Sequence, residues 1–153
     1  MQIIEDMEWE EILGIIERIE FFKNFSLREI KKIIKINKNV LFYRVGELII
    51  RQGTDDNCFY ILVSGSVTIT KGDSSLPIAK FEPGDLFGEI AFLTNSPRTA
   101  NAIADETAIV IKIDKTQFEK LSPKIREKIK DVTIEKLVVR LNRMTRAFLS
   151  LYY

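Results

Sequence analysis

Between Phe87 and Ala100 the chain reads Phe-Gly-Glu-Ile-Ala-Phe-Leu-Thr-Asn-Ser-Pro-Arg-Thr-Ala. One glycine, one acid and one guanidinium fall close together in strand-like sequence, and their types limit the chemistry. Gly88 has no side chain, so a ligand can approach its backbone closely. A single helical turn beginning near Glu89 would aim free N–H groups at an anion. Arg98 offers a planar fork that matches phosphate oxygens. Glu89 accepts hydrogen bonds and suits a sugar diol. Together these describe a pocket for a phosphorylated sugar. The bland alternative takes the pieces separately: Gly88-Glu89 as a strand end with an exposed acid, and Pro97-Arg98 as a solvated turn.

In this order, Phe-Gly-Glu-x-Ala-x-Leu…Pro-Arg-Thr-Ala resembles the phosphate-binding cassette of cyclic nucleotide-binding domains. Such domains occur in kinase regulatory subunits, catabolite-activator regulators and nucleotide-gated channels. The resemblance implies that Glu89 binds the ribose 2′-OH and Arg98 the exocyclic phosphate. It places backbone amides near Ala91 on the phosphate and Thr99 near phosphate or base. Phe87, Gly88, Ile90 and Ala100 complete the implied ligand-binding set, and the ligand is cAMP or cGMP. Threonine at the Thr99 position occurs in the family with both, and analogy with single-domain members favours cAMP. Phe92 departs from the aliphatic residue common in the family, which bears on packing rather than on ligand chemistry. Relatives that keep the fold but lose binding usually lose the arginine or the acid, and both stand here.

Composition narrows the classes further. With 153 residues the chain is long enough for one domain with a real core. A net charge of +1 is not that of a polyelectrolyte wrapped in nucleic acid. There is no histidine and a single cysteine, Cys58. That removes the usual catalytic triads and most zinc sites, so no catalytic residue, no metal and no cofactor is expected. Cys58 reads as a small apolar strand residue. No apolar run reaches the roughly 20 residues of a membrane helix, and the acidic N-terminus is the opposite of a secretory signal, so a cytoplasmic location is expected.

The elements that must position the cassette are read from periodicity. Met1 to about Ile36 reads as helical, with Trp9, Ile12, Leu13, Ile16 and Ile19 on one stripe. Ser26 and Glu29 form a capping box for a second helix that buries Leu27, Ile30, Ile33 and Ile34. From Val40 the pattern changes to short β-branched or aromatic runs: 40–43, 48–50, 59–63, 67–70, 78–81 and 108–113. Gly46, Gly53, Gly65 and Gly84 mark the turns and are expected not to touch ligand. Val45-Gly46-Glu47-Leu48-Ile49 and Pro83-Gly84-Asp85-Leu86-Phe87 echo one another, each placing a glycine turn before a strand. The fold class expected is α+β, mainly β: a double-stranded β-helix, or jelly-roll β-roll, flanked by N-terminal and C-terminal helices.

After Asp114 the pattern is helical again, with a short helix over 115–121 and a longer one from Ser122-Pro123. Ile134, Leu141 and Phe148 fall seven apart, with Leu137, Met144 and Leu151 three beyond each, an a/d seam of two to three heptads. The expected organisation is a single domain over 1–153, with N-terminal helices over 1–36, the β-roll over 37–114 and lid or dimer helices over 115–153. Leu137, Arg140, Leu141 and Met144 are the candidates to cover the purine. The C-terminal helix is the expected switch and a possible homodimer contact. Residues 1–25 hold seven acids against two bases and residues 115–153 ten bases against four acids, a hint that the ends lie near each other. The chain ends at Tyr153 without room for a helix-turn-helix, so no direct DNA binding and no membrane contact is expected, and the downstream protein partner is unknown. The competing readings are a non-binding dimeric scaffold of the same fold and, more remotely, a cupin-like enzyme.

Overall fold

The computed structural model describes residues 2–3 and 9–152. It divides into two compact units, Met1–Leu121 and Ser122–Tyr153.

In the first unit the elements run β1 (Gln2–Ile3), α1 (Trp9–Glu17), a 3-10 turn (Glu20–Phe22), α2 (Leu27–Ile33), α3 (Ile36–Asn39), β2 (Val40–Tyr43), β3 (Leu48–Ile50), β4 (Cys58–Ser64), β5 (Val67–Thr70), β6 (Ala79–Phe81), β7 (Leu86–Phe87), α4 (Glu89–Thr94), β8 (Asn101–Ala104), β9 (Ala108–Asp114) and α5 (Lys115–Glu119). The strands form two sheets, one in the order β1-β2-β9-β4-β7 and one in the order β3-β8-β5-β6. Every pairing is antiparallel. This is the β-roll expected, and its two sheets enclose one apolar core.

That core draws alternate residues from β2, β4, β8 and β9, as the period of two requires, and the consecutive Ile49 and Ile50 from β3, where the register is irregular. Leu41 and Tyr43, Cys58, Tyr60 and Leu62, Ala102 and Ala104, and Ala108 and Val110 all belong to it. On β4 the intervening residues, Phe59 and Ile61, are buried as well. Phe59 meets Phe92 of α4 edge-on at 4.9 Å, and Phe92 meets Phe118 of α5 at 5.4 Å. Phe92, the aromatic departure in the cassette, is thus a packing residue that ties α4 between a strand and a helix.

The N-terminal expectations hold in part. Ile12, Leu13, Ile16 and Ile19 are buried along α1 and just beyond it. Ser26 and Glu29 make the reciprocal capping box, with both hydrogen bonds present. Two details differ. Gln2–Ile3 is a strand rather than helix, paired with Leu41 and Phe42 at the edge of β2; a sheet edge offers unpaired backbone groups to any extended segment within reach. Leu27 is exposed although Ile30, Ile33 and Ile34 are buried. Helical side chains lean toward the N-terminus, so at the first position of α2 the side chain overhangs the helix end. The acids Glu5, Asp6 and Glu8 and the Trp9 side chain lie outside the described residues. Helical structure continues through α3 to Asn39, and β2 begins at Val40.

Strand β8 is absent from the strands expected, because Asn101-Ala102-Ile103-Ala104 carries two alanines and little β-branched signal. It forms because it fills the place between β3 and β5, pairing with both. Its alanines are fully buried where larger side chains already occupy the core.

The second unit is α6 (Pro123–Ser150), capped by Ser122 with proline at its first position. Ile125, Ile129, Val132 and Thr133 are buried, whereas Ile134, Leu141, Met144, Phe148 and Leu151 are exposed. Most of the heptad seam therefore lies open, with Leu137 half-buried. Among the described residues no helix is long and apolar enough to cross a membrane, and no group of ligands could hold a metal ion.

Candidate functional site

The cassette begins where β7 ends. Pro83-Gly84 makes a turn in which Gly84 has φ 94. The chain then runs through Leu86–Phe87 beside β4, pairing Ile61 with Leu86 and Tyr60 with Phe87. The Phe87 ring stacks on Tyr60 at 5.1 Å and on Phe81 at 5.9 Å, so its side chain belongs to the core. Gly88 comes next, in the left-handed region, with φ 77 and ψ 10. That conformation is strained for any other residue, and it swings the chain out of the strand and into α4. Asn95, with φ 53, closes α4 in the same left-handed region.

Glu89 is the first residue of α4, and Ala91 and Phe92 are buried beside it while Ile90 points outward at 54% exposure. The Glu89 carboxylate is buried, with 4% of the residue exposed, and Arg98 is equally buried at 4%. Neither is an exposed acid on a strand end or a solvated turn residue, so the bland alternative does not hold for this chain.

Arg98 is anchored through both backbone and side chain. Its N–H donates to the Thr54 carbonyl at 2.9 Å, and its carbonyl accepts from the Gly53 N–H at 2.8 Å. Turn 53–54 therefore clamps the arginine, although its glycine is expected from sequence only to shape a turn. The guanidinium donates from Nη1 to the Gly88 carbonyl at 2.6 Å and from Nη2 to the Cys58 carbonyl at 2.6 Å. Nη2 also lies 3.2 Å from the Cys58 thiol, and Nε donates to Asp56. The Tyr60 ring lies beneath, its centroid 6.0 Å away. The carbonyl at the entrance to α4 is thus tied directly to the cation of the cassette's far end, which brings Gly88, Glu89 and Arg98 together.

Gly88 also guards that contact. A Cβ added there would lie 2.8 Å from Arg98 Nη1 and 3.1 Å from Ile50 Cδ1. The position needs glycine twice, once for its backbone angle and once for the space.

Asp56 is the partner of Arg98 that the sequence alone does not point to. It sits in the turn 53–57, forty-two positions from Arg98, and pairs with it across the fold. Nothing local marks it out from Asp55 beside it. The pair supplies a counter-charge for a cation that would be costly to bury alone. Of the five N–H groups of the guanidinium, Asp56, the Gly88 carbonyl, the Cys58 carbonyl and the Cys58 thiol take four, which leaves one, on Nη1, for a further anion.

Two titratable neighbours of the arginine are shifted upward by burial. Burial pushes the Cys58 thiol above its ordinary range, with the Tyr60 hydrogen bond opposing this. Burial likewise pushes the Tyr60 phenol far up, and the Cys58 and Asp56 charges add to it. Thr99 is exposed and Ala100 half-buried, both beyond Arg98 on the way to β8. The four candidates on α6 fall in the second unit: Leu141 and Met144 are exposed, and Leu137 and Arg140 half-buried.

These are the features of a known class. The family model for the cyclic nucleotide-binding domain matches residues 40–124, and the chain belongs to that family. It is 31% identical over 120 residues to the cAMP-dependent protein kinase regulatory subunit of Dictyostelium discoideum, a match covering 74% of this chain and 35% of that protein. It is 32% identical over 114 residues to cGMP-dependent protein kinase 2 of Mus musculus, covering 71% of this chain and 15% of that protein. The chain thus spans about a third of the length of the first relative and far less of the second. Among solved structures, a cyclic nucleotide-binding domain from Methylobacillus flagellatus superposes with a TM-score of 0.73 at 21% identity, covering 92% of this chain and 82% of that one. At that identity the likeness shows the fold.

Proposed function

We propose that this domain is a sensor for a cyclic nucleoside monophosphate, cAMP or cGMP, rather than an enzyme. The observation that carries the reading is the buried guanidinium of Arg98, tied to the Gly88 carbonyl at the start of α4 and adjacent to the equally buried Glu89. In this reading Arg98 meets the exocyclic phosphate with its charge and its remaining Nη1 donor, and the amides of Ile90 and Ala91 add neutral donors. Glu89 takes the ribose 2′-OH, Thr99 stands near phosphate or base, and Ala100 leads out of the site. Phe87 contributes through the stack that holds the strand before Gly88. Asp56 holds the Arg98 guanidinium in orientation through its Nε. The relatives are named for cAMP-dependent and cGMP-dependent kinases at nearly the same identity, which supports the ligand class and leaves the base open.

The output belongs to α6. Leu137, Arg140, Leu141 and Met144 are the proposed cover of the base, and the open heptad seam is a surface for a second copy or for a downstream protein. A ligand shifts such a helix only by contacting its two positions differently. The reading therefore predicts altered hydrogen exchange after residue 120 on ligand addition.

The deciding experiment is calorimetric titration with cAMP and cGMP, with Arg98→Ala as the comparison. Saturable binding by the wild type, lost in the variant, supports the reading; equal affinity in both defeats it. One observation favours the scaffold alternative: Asp56 already neutralises Arg98, so the buried charge is stable without a phosphate. A wild type that binds neither nucleotide yet self-associates through α6 would establish that alternative.

A further inference from the structure

A second cationic site lies within the first unit and shares no residue with the 87–100 segment. A groove of about 340 Å³ is walled by Lys32, Lys35 and Lys38 on one side and by Asp114, Thr116 and Lys120 on the other. Four lysines face one aspartate. That aspartate is engaged in capping α5, its Oδ1 accepting from the Gln117 N–H at 2.7 Å. Among the described residues none of the four lysines is paired with a carboxylate. Like charges gathered in a concave surface repel one another, so this arrangement favours an anion between them.

The groove is held open by the anchoring of its walls. Asn39 is almost wholly buried at 1% exposure. Its amide donates to the Lys112 carbonyl at 2.9 Å and to Gln117 Oε1 at 2.7 Å, while its Oδ1 accepts from the Lys35 N–H at 2.9 Å. One side chain thereby fastens the lysine-bearing segment of α2–α3 to the end of β9 and to α5. The cations are gathered by a fixed backbone, and binding need not assemble them.

The lining also says what kind of anion fits. Its volume lies at the low end of small-molecule sites. It contains no aromatic ring, so nothing there stacks a nucleobase. It contains no arginine fork for one planar carboxylate or phosphate, only flexible point charges that spread over several anionic centres. We propose that this groove binds a compact polyphosphate, with Lys32, Lys35, Lys38 and Lys120 supplying the counter-charge and Thr116 a hydroxyl. The proposal is independent of nucleotide binding in the cassette.

The test uses the full chain and inorganic tripolyphosphate in a calorimetric titration at low salt. One-to-one binding is expected. It should weaken on the order of 100-fold in Lys32→Gln/Lys35→Gln/Lys38→Gln, since each ammonium near an anionic surface contributes about fivefold. Lys71→Gln/Lys80→Gln removes exposed charge elsewhere and should leave binding unchanged. Saturating cAMP and Arg98→Ala should leave it unchanged too. Should the triple variant melt below wild type, Lys120→Gln alone carries the test, with about a fivefold loss. No binding by the wild type, equal loss in the Lys71/Lys80 variant, or displacement by cAMP overturns the proposal. Tighter binding of a single-stranded oligonucleotide than of tripolyphosphate through the same lysines would reassign the groove to nucleic acid.

Discussion

Two turns of this roll share one bonding pattern and differ in where they lead. At Gly46 the backbone N–H donates to the Ala104 carbonyl, and the Ala104 N–H returns a bond to the Glu47 carbonyl. At Gly84 the N–H donates to the Leu62 carbonyl, and the Leu62 N–H returns a bond to the Asp85 carbonyl. In each the acid side chain accepts from a backbone N–H three residues earlier, Glu47 from Arg44 at 2.9 Å and Asp85 from Glu82 at 2.8 Å. Both glycines are left-handed. The first turn feeds β3 in the four-stranded sheet and the second β7 in the five-stranded one. The five-residue echo in the sequence is thus a repeated structural unit. The turns differ only at their exits. After Ile49 the strand continues, whereas after Phe87 a third left-handed glycine breaks it and starts α4. The turn framework is shared between the two halves, and the left-handed break that starts α4 is confined to the exit of one.

The largest effect should come from the residue that the second exit holds. Arg98→Ala is expected to weaken cyclic nucleotide binding by about 3–5 kcal/mol, several hundredfold or more, by calorimetry. Next is the exit itself. Gly88→Ala meets both a left-handed angle and Arg98 Nη1, so it should cost about 1–3 kcal/mol in stability by denaturant melts and lower affinity about tenfold or more. An unaltered affinity in Gly88→Ala would erase the distinction between the turns. Smaller still are the turn glycines. Gly46→Ala has nothing within 4 Å of the added Cβ, and Gly84→Ala only Ile19 Cγ2 at 3.8 Å. Each should therefore cost only about 1 kcal/mol, from backbone angle alone, and in similar amount. Neither should change affinity more than about twofold. Unequal costs would show that the repeat is not energetic.

The smallest effect concerns a phenol beside the first turn. Burial pushes Tyr43 up from 10.0 to about 12, with the Cys58 charge adding to it. Its folded value is raised, so its contribution to stability is complete below pH 10 and is lost between there and pH 12. Thermal melts should accordingly be insensitive to this group from pH 7 to 9 and fall in the alkaline range, and Tyr43→Phe should lessen that fall.

Legibility in the sequence divides along the same line. The β-roll can be read because its strands are short runs of Val, Ile, Phe and Tyr, and its turns are glycines with neighbouring acids. Strand β8 cannot, since two alanines announce nothing about the space they fill. Glu89 and Arg98 are legible because the cassette is contiguous. Asp56 is not, because its partner is supplied by folding and no local spacing encodes it. The cover on α6 stays an expectation, since a heptad pattern marks an apolar stripe and not its occupant.

The bounds of α4 carry one more consequence. It runs from Glu89 to Thr94 between two left-handed caps, Gly88 and Asn95, and the chain must then rejoin turn 53–54 at Arg98. Inserting or deleting a single residue would rotate everything downstream by about 100° and miss that junction. This stretch is therefore a cartridge of fixed length, and lineages of this fold should vary in size almost anywhere else first.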